Sequence, residues 1–208
     1  MRTTLTFITN LIFLIGFCVN ANSQMHIDYG IDLAKTPTNN LIDNSSGIVI
    51  EPIFIAKFRQ SNLRIKSIIG YASIKRDNIF VNSNMEIKGF YWKGGVGYSD
   101  SKKVAPYLNL CLSTFNVSNK FGLKGNYFGD YERVYNHNNR FTLGLEPNCD
   151  IHIRIYNKIS MLISLRLSLL LINTSYDNYP IYYIPGAGII NNKYVTTGVS
   201  LYLMFNDQ

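Results

Sequence analysis

The sequence predicts an all-β protein, an eight-stranded antiparallel up-and-down transmembrane β-barrel with long outer loops and short periplasmic turns. Apolar residues alternate with small or polar residues along most of the chain, most regularly over Phe141 to Ile155 and Ile159 to Leu171. A period of two is typical of strands, whose successive side chains point to opposite faces. The strands have about the 9–11 residues that a tilted strand needs to cross a bilayer. Their connections alternate between short and long, which is typical of barrels in outer membranes.

The first four predicted strands each have an apolar outward face and an inward face that carries charge or glycine. The charged face suits a polar interior, and the apolar face suits lipid. The outward residues are Met25, Ile27, Tyr29, Ile31 and Leu33 in Met25–Ala34; Ile48, Ile50, Phe54 and Phe58 in Ile48–Phe58; Leu63, Ile65, Ile69 and Tyr71 in Leu63–Ser73; and Phe90, Trp92, Val96 and Tyr98 in Gly89–Ser99.

The last four predicted strands follow the same rule. Glycine, serine and charged residues occupy the inward positions between the apolar ones. The outward residues are Leu108, Leu110 and Leu112 in Pro106–Asn116; the odd positions of Phe141–Ile155; the odd positions of Ile159–Leu171; and Val195, Val199, Leu201, Leu203 and Phe205 in Tyr194–Phe205.

The predicted connections place both chain ends on one side. Short turns in such barrels face the periplasm, and an even number of strands returns the chain to the side where it began. The short connections are Arg59–Asn62, Asp100–Ala105 and Tyr156–Lys158, and the long ones are Lys35–Gly47, Ile74–Lys88, Val117–Arg140 and Asn173–Lys193.

The N-terminus has the pattern of a secretory signal peptide. Arg2 supplies a positive charge ahead of the apolar core Leu11–Val19. Ala21 and Ser23 then place small residues before a cleavage site at Gln24. We therefore expect residues 1–23 to be a signal peptide and residues 24–208 to be one outer-membrane β-barrel domain.

Two other interpretations of the N-terminus are weaker. An uncleaved anchor helix would need a longer apolar core to cross about 30 Å of hydrocarbon. A lipoprotein cut before Cys18 would need a small residue where Phe17 stands.

Composition excludes some classes of partner and cofactor. The formal net charge is +7, but the Lys and Arg residues are scattered, so no nucleic-acid patch is predicted. The histidines His26, His137 and His152 lack the spacing of metal ligands, so we expect no metal and no cofactor. Membrane lipid is the expected partner, and a monomer is the expected state.

The inward charges predict an interior charge network. Both signs face a space that, in an eight-stranded barrel, is just wide enough for side chains to fill. Buried charges must be paired, so we expect a salt-bridged plug and not a pore or a proton path. The residues are Asp28, Asp32, Glu51, Lys57, Arg64, Lys66, Lys93, Glu146, Asp150, Arg154 and Arg166.

The two cysteines of the predicted mature chain are expected to stay unpaired. Cys149 shares the outward face of its strand with Ile151, whereas Cys111 lies between outward Leu110 and Leu112 and so points inward. Cysteines on opposite faces of a sheet do not meet disulfide geometry.

Several motifs of the chain occur together in an eight-strand layout. They are Tyr29-Gly30-Ile31-Asp32-Leu33, the Ile159–Leu171 strand with Arg166, Tyr183-Ile184-Pro185-Gly186-Ala187-Gly188, Tyr194 and Gly198. With these motifs the chain resembles a functionally uncharacterised family of small outer-membrane β-barrel proteins of Gram-negative bacteria. The resemblance spans nearly the whole mature chain and implies the fold and the location, with no catalytic residue to transfer. One departure is that Asn206-Asp207-Gln208 follow the last aromatic residue, Phe205.

The long loops contain the residues predicted to bind an extracellular protein or glycan. Tyrosine gives contact area at low entropic cost, although such residues also form the aromatic girdle of a barrel. The candidates are Tyr127, Phe128, Tyr131, Tyr135, His137, Tyr176, Tyr179, Tyr182 and Tyr183.

These observations favour a non-enzymatic outer-membrane protein that has a structural role or binds through its extracellular loops. One alternative is a lipid-modifying enzyme at the outer rim, in which His137 would act with neighbours such as Asp130 or Glu132. The other is a soluble secreted calyx-type barrel that binds an apolar ligand and turns its apolar face inward.

Overall fold

The computed structural model describes residues 25–35, 45–58, 61–77, 83–101, 103–123, 129, 131–174, 181–189 and 194–206. No helix within these ranges is long and apolar enough to cross a membrane. The predicted signal peptide lies outside the described residues, as do Tyr127, Phe128, Asp130, Tyr176 and Tyr179.

The described chain is all-β, and every strand pairing is antiparallel. The strands are β1 (Met25–Asp32), β2 (Ser45–Ile50), β3 (Pro52–Phe58), β4 (Leu63–Asp77), β5 (Ser83–Tyr98), β6 (Val104–Leu123), β7 (Tyr131–Tyr156), β8 (Ile159–Asn173), β9 (Tyr183–Ile184), β10 (Gly188–Ile189) and β11 (Val195–Asn206).

The main sheet closes into a ring because its first strand pairs with its last. Strand β1 pairs with β11 on one side and β3 on the other, and the ring continues through β4, β5, β6, β7 and β8 back to β11. Strands β2 and β3 both pair with β4 and together occupy one strand position in the ring. The ring therefore has eight strand positions, which is the number that the sequence predicts. The interruption falls beside Pro52, which lacks the N–H that a ladder uses.

We name the two ends of the ring by their connections. The short-turn end carries the connections 59–62, 99–103 and 157–158, together with the start of β1 and the end of β11. The long-loop end carries the connections 33–44, 78–82, 124–130 and 174–194.

Four strands extend further at the long-loop end than the sequence predicts. Strand β4 reaches Asp77 and β5 begins at Ser83, so most of the predicted loop Ile74–Lys88 is strand. Strands β6 and β7 likewise cover most of the predicted loop Val117–Arg140. This segment is rich in Asn and Lys and lacks the apolar alternation, but pairing between its own two strands satisfies its backbone.

The two faces of the ring differ in the way that the alternation predicts. Outward residues such as Phe90 and Val199 are exposed, and inward residues such as Lys66 and Glu146 are buried. Cys111 is buried on the inner face, while Cys149 lies on the outer face of β7.

The interior also contains an apolar cluster that the sequence analysis did not predict. It is built from inward-facing aliphatic and aromatic residues of the ring and from residues ahead of β11. Its largest fully buried ring residues are Ile53, Ile55, Ile74, Ile87, Leu162, Tyr202 and Met204.

Residues 181–189, which we call the infolded hairpin, enter the ring from the long-loop end. Strands β9 and β10 pair with each other, and every residue from Tyr183 to Gly188 is buried. Gly186 has a φ of 83°, which favours glycine, and a Cβ atom there would lie 2.9 Å from the ring of Tyr91. The sequence predicts that all of Asn173–Lys193 is an outer loop. That prediction is wrong for residues 181–189, which pack inside the ring.

Candidate functional site

The candidate site is the interior of the ring, where charged side chains form three linked groups. The first group joins β4 to β7. Lys66 and Asp150 lie 2.8 Å apart with both side chains at most 1% exposed. The Ser164 hydroxyl donates to Asp150 at 2.6 Å, and the Lys66 ammonium lies 4.1 Å from the centroid of the Tyr107 ring. Each charge therefore has a partner and at least one further polar or aromatic contact.

The second group joins β5, β7 and β8. The Lys93 ammonium donates to both oxygens of Glu146, at 2.9 and 2.8 Å. The Ser168 hydroxyl donates to the same carboxylate at 2.6 Å, and the Arg166 guanidinium lies 3.9 Å from it. Glu146 thus faces two cations and one hydroxyl without exposure to water.

The third group lies around Glu51, at the junction of β2 and β3. The carboxylate accepts hydrogen bonds from the hydroxyls of Tyr91, at 2.5 Å, and Tyr202, and it pairs with Lys35. Burial lowers the pKa of Lys35 to about 8, while the Glu51 carboxylate acts in the opposite direction. Asp32 accepts the backbone N–H of Lys35 at 2.7 Å and so holds the turn that brings this lysine inward.

The remaining members of the predicted interior charge network lie toward the short-turn end. Lys57 pairs with Asp28. The Arg64 guanidinium donates to the Ser101 carbonyl at 2.8 Å. Arg154 does not join the interior groups, because its side chain is exposed past the end of the ring.

The infolded hairpin accepts a hydrogen bond from Arg166. The Arg166 guanidinium donates to the Gly186 carbonyl at 2.8 Å, and the Thr196 hydroxyl donates to the Ala187 carbonyl at 2.9 Å. The hairpin therefore bonds to two strands of the ring and covers the charged groups from the long-loop end.

Sequence reasoning missed several residues of this site. Lys35 was placed in a loop, and Tyr91 and Tyr202 were passed over as inward positions between apolar neighbours. The motif Tyr183–Gly188 contributes to the family resemblance, but nothing in the sequence analysis places it inside the ring. Its glycines and proline, within a segment of few charges, were the available signal that this loop is buried.

The structure describes five of the residues predicted to bind a partner, and they lie in different places. Tyr131, Tyr135 and His137 lie on β7 and not in a loop. Tyr182 is half-buried with the Arg76 guanidinium 4.9 Å from its ring centroid, and Tyr183 is buried inside the ring.

Two contacts bear on the rim-enzyme alternative. Its Nδ1 lies 3.0 Å from Arg140, and Glu132 pairs instead with Lys120 at 2.7 Å. Among the described residues, no group of three or more His, Cys, Asp or Glu side chains could hold a metal ion.

No protein-family model and no curated protein sequence matches this chain. The resemblance to a family of small outer-membrane proteins therefore stays a prediction. The chemistry of the site must be judged from its own geometry, which is that of charges satisfied by one another and shielded from water.

Proposed function

We propose that the ring is an eight-stranded transmembrane β-barrel of an outer membrane, reached after export by a cleaved signal peptide. We further propose that it is a closed, non-enzymatic envelope protein that has a structural role or binds a surface partner. One observation carries the proposal, namely an apolar outer face around an interior of paired charges.

The outer face is unsuited to water. Phe90, Leu171 and Val199 are 65%, 58% and 61% exposed, and similar side chains follow one another around the ring. Soluble monomers rarely expose contiguous apolar patches larger than a few hundred Å². A band of this kind, with polar side chains turned inward, is the arrangement of barrels in lipid.

The same observation argues against the soluble calyx alternative. A calyx would hold Leu165 and Ile153 inside and expose Arg166. Instead, Leu165 and Ile153 are 46% and 41% exposed, and the Arg166 side chain is 7% exposed. The described apolar residues of the interior pack against one another and against the infolded hairpin.

Closure of the interior supports a role without conduction. The three charged groups and the infolded hairpin fill the space that a solute would cross. In planar bilayers, we expect the purified protein to insert without steady ion conductance. Insertion is checked in the same sample by a heat-dependent shift in gel migration, and a stable open channel would contradict the closed interior.

A binding role is favoured by the hairpin of β6 and β7, which extends beyond the β7–β8 pairing. Pairing of β7 with β8 begins at Thr142, whereas its pairing with β6 continues to Tyr131. Tyr131 and Val134 are 55% and 50% exposed there. An extracellular protein or glycan is the partner that such a surface fits.

A further inference from the structure

A cavity of about 500 Å³ opens at the short-turn end of the ring, and we call it the short-turn vestibule. Its size is within the range of sites for small molecules, about 300–1,000 Å³. It lies at the end opposite the β6–β7 hairpin, so it is separate from the binding role proposed above. Its lining residues are Lys57, Arg64, Lys103, His152, Arg154, Asn157, Ser160 and Asn206.

The charge of the short-turn vestibule is one-sided. Four of its described lining residues are Lys or Arg, and none of them is acidic. Asp28 pairs with Lys57 and Asp150 pairs with Lys66, and neither carboxylate lines the cavity. Arg64, Lys103 and Arg154 therefore face one cavity from three separate elements without an acidic lining residue between them.

Hydrogen-bond donors remain available in the same wall. A guanidinium has five N–H donors. Arg154 donates to the Asn157 carbonyl at 3.3 Å, and Arg64 donates to the Ser101 carbonyl at 2.8 Å and also interacts with the Tyr107 hydroxyl. The buried Nε2 atom of His152 has no hydrogen-bond partner among the described residues.

We propose that the short-turn vestibule binds a phosphate group, either free or carried by a lipid headgroup. The planar fork of arginine matches phosphate oxygens, and several cations around one cavity favour an anion of more than one charge over a single carboxylate. Arg154 and Lys103, exposed at the rim, contact the phosphate oxygens first, while Arg64 supplies donors from the deeper wall.

Calorimetric titration of the whole protein in non-ionic detergent with inorganic pyrophosphate tests this proposal. We expect one saturable site. The double variant Lys103→Gln/Arg154→Gln should bind about tenfold more weakly, because two charge-assisted contacts are lost. Both positions are exposed, so folding should persist, and the heat-dependent gel shift checks it.

A matched control removes the same charge from the other end of the ring. Lys75→Gln/Lys88→Gln alters two exposed lysines near the long-loop end and should leave pyrophosphate binding unchanged. Equal weakening by both double variants would overturn the proposal, because it would show attraction to net charge and not to the short-turn vestibule.

A second titration distinguishes the two sources of phosphate. Short-chain phosphatidic acid in the same detergent is compared with short-chain phosphatidylcholine. The short-turn vestibule is assigned to a lipid headgroup if phosphatidic acid binds while phosphatidylcholine and pyrophosphate do not, and if Lys103→Gln/Arg154→Gln weakens that binding. Binding of pyrophosphate with that same sensitivity assigns it to a free phosphate compound. Absence of binding to both probes would overturn the proposal.

Discussion

Asp150 shows what a single interior residue contributes to this ring. Its carboxylate accepts from Lys66 and from Ser164 within a space closed to water. Two charges taken out of water gain stability only from each other and from nearby dipoles, so the loss of one partner leaves the other in an unfavourable medium. The pair therefore contributes little when intact and costs much when it is broken.

At this scale we predict that Asp150→Asn lowers the free energy of unfolding by about 3–5 kcal/mol, because Lys66 stays buried without its counter-charge. The double variant Lys66→Met/Asp150→Leu should recover most of that loss, since no buried charge remains. Urea titration of the protein in lipid vesicles measures both.

An exposed ion pair provides the control for this prediction. Lys88 and Glu86 lie 2.6 Å apart on β5, but both side chains are largely in solvent. Glu86→Gln should cost no more than about 1 kcal/mol. Equal effects of Asp150→Asn and Glu86→Gln would show that Lys66 reaches water.

At the scale of elements, the infolded hairpin depends on one turn. Gly186 and Gly129 both have positive φ, 83° and 78°, so an L residue is strained by about 1–2 kcal/mol at either position. Only Gly186 is close to another side chain, because described atoms around Gly129 lie beyond 4 Å. The two glycines therefore separate backbone strain from steric contact.

We predict that Gly186→Ala lowers thermal stability more than Gly129→Ala does, because only the first pushes against Tyr91. Limited proteolysis should also cut the Gly186→Ala protein within residues 181–189, where the wild type resists. Equal behaviour of the two variants would show that this hairpin does not pack inside the ring.

The β6–β7 hairpin can be shortened without disturbing the ring. Lys120 and Val134 are direct partners in the ladder. Replacing residues 121–133 with Asn-Gly joins them through a two-residue turn of the type that hairpins favour. We predict that the shortened protein keeps its heat-dependent gel shift and its resistance to urea but loses adhesion to host or bacterial surface extracts.

A variant with the full hairpin length tests whether the side chains of the hairpin make the contact. Tyr131→Ser/Val134→Ser keeps the hairpin length while removing two exposed apolar side chains. It should reproduce the loss of adhesion if side chains make the contact. Full adhesion by the shortened protein would refute a binding role for this hairpin.

The sequence predicted the elements of the ring better than their ends or their interior. Inward and outward faces follow the alternation in the central part of each ring strand, because a one-residue change of register would expose charge to the apolar side. The position of Lys35 and of Tyr183 could not be predicted in that way. Both lie outside the long strands, where no period shows whether a loop turns in or out.

The apolar interior was missed for a related reason. Runs such as Ile53-Phe54-Ile55 are apolar on both faces of the strand. A rule that assigns one apolar face to lipid does not predict where the other apolar face packs. A continuous apolar run indicates burial on both sides, which here means lipid on one side and the interior cluster on the other.

At the scale of the whole molecule, the proposed barrel predicts how stability depends on depth in lipid. Leu165→Arg, in the middle of β8, should cost about 2–4 kcal/mol in vesicles, and Val104→Arg, at the short-turn end, about 0–1 kcal/mol. On a protein dissolved in water, both surface changes would stay within about 0.5 kcal/mol. Urea titrations in vesicles compare the two, and equal small costs would exclude insertion.

Strand β11 closes the ring against β1 and β8, and the infolded hairpin lies immediately ahead of it. A chain truncated before these residues keeps two open strand edges and an Arg166 without the Gly186 carbonyl. Chaperones and proteases that bind bare strand edges can therefore distinguish a closed ring from one that lacks β11.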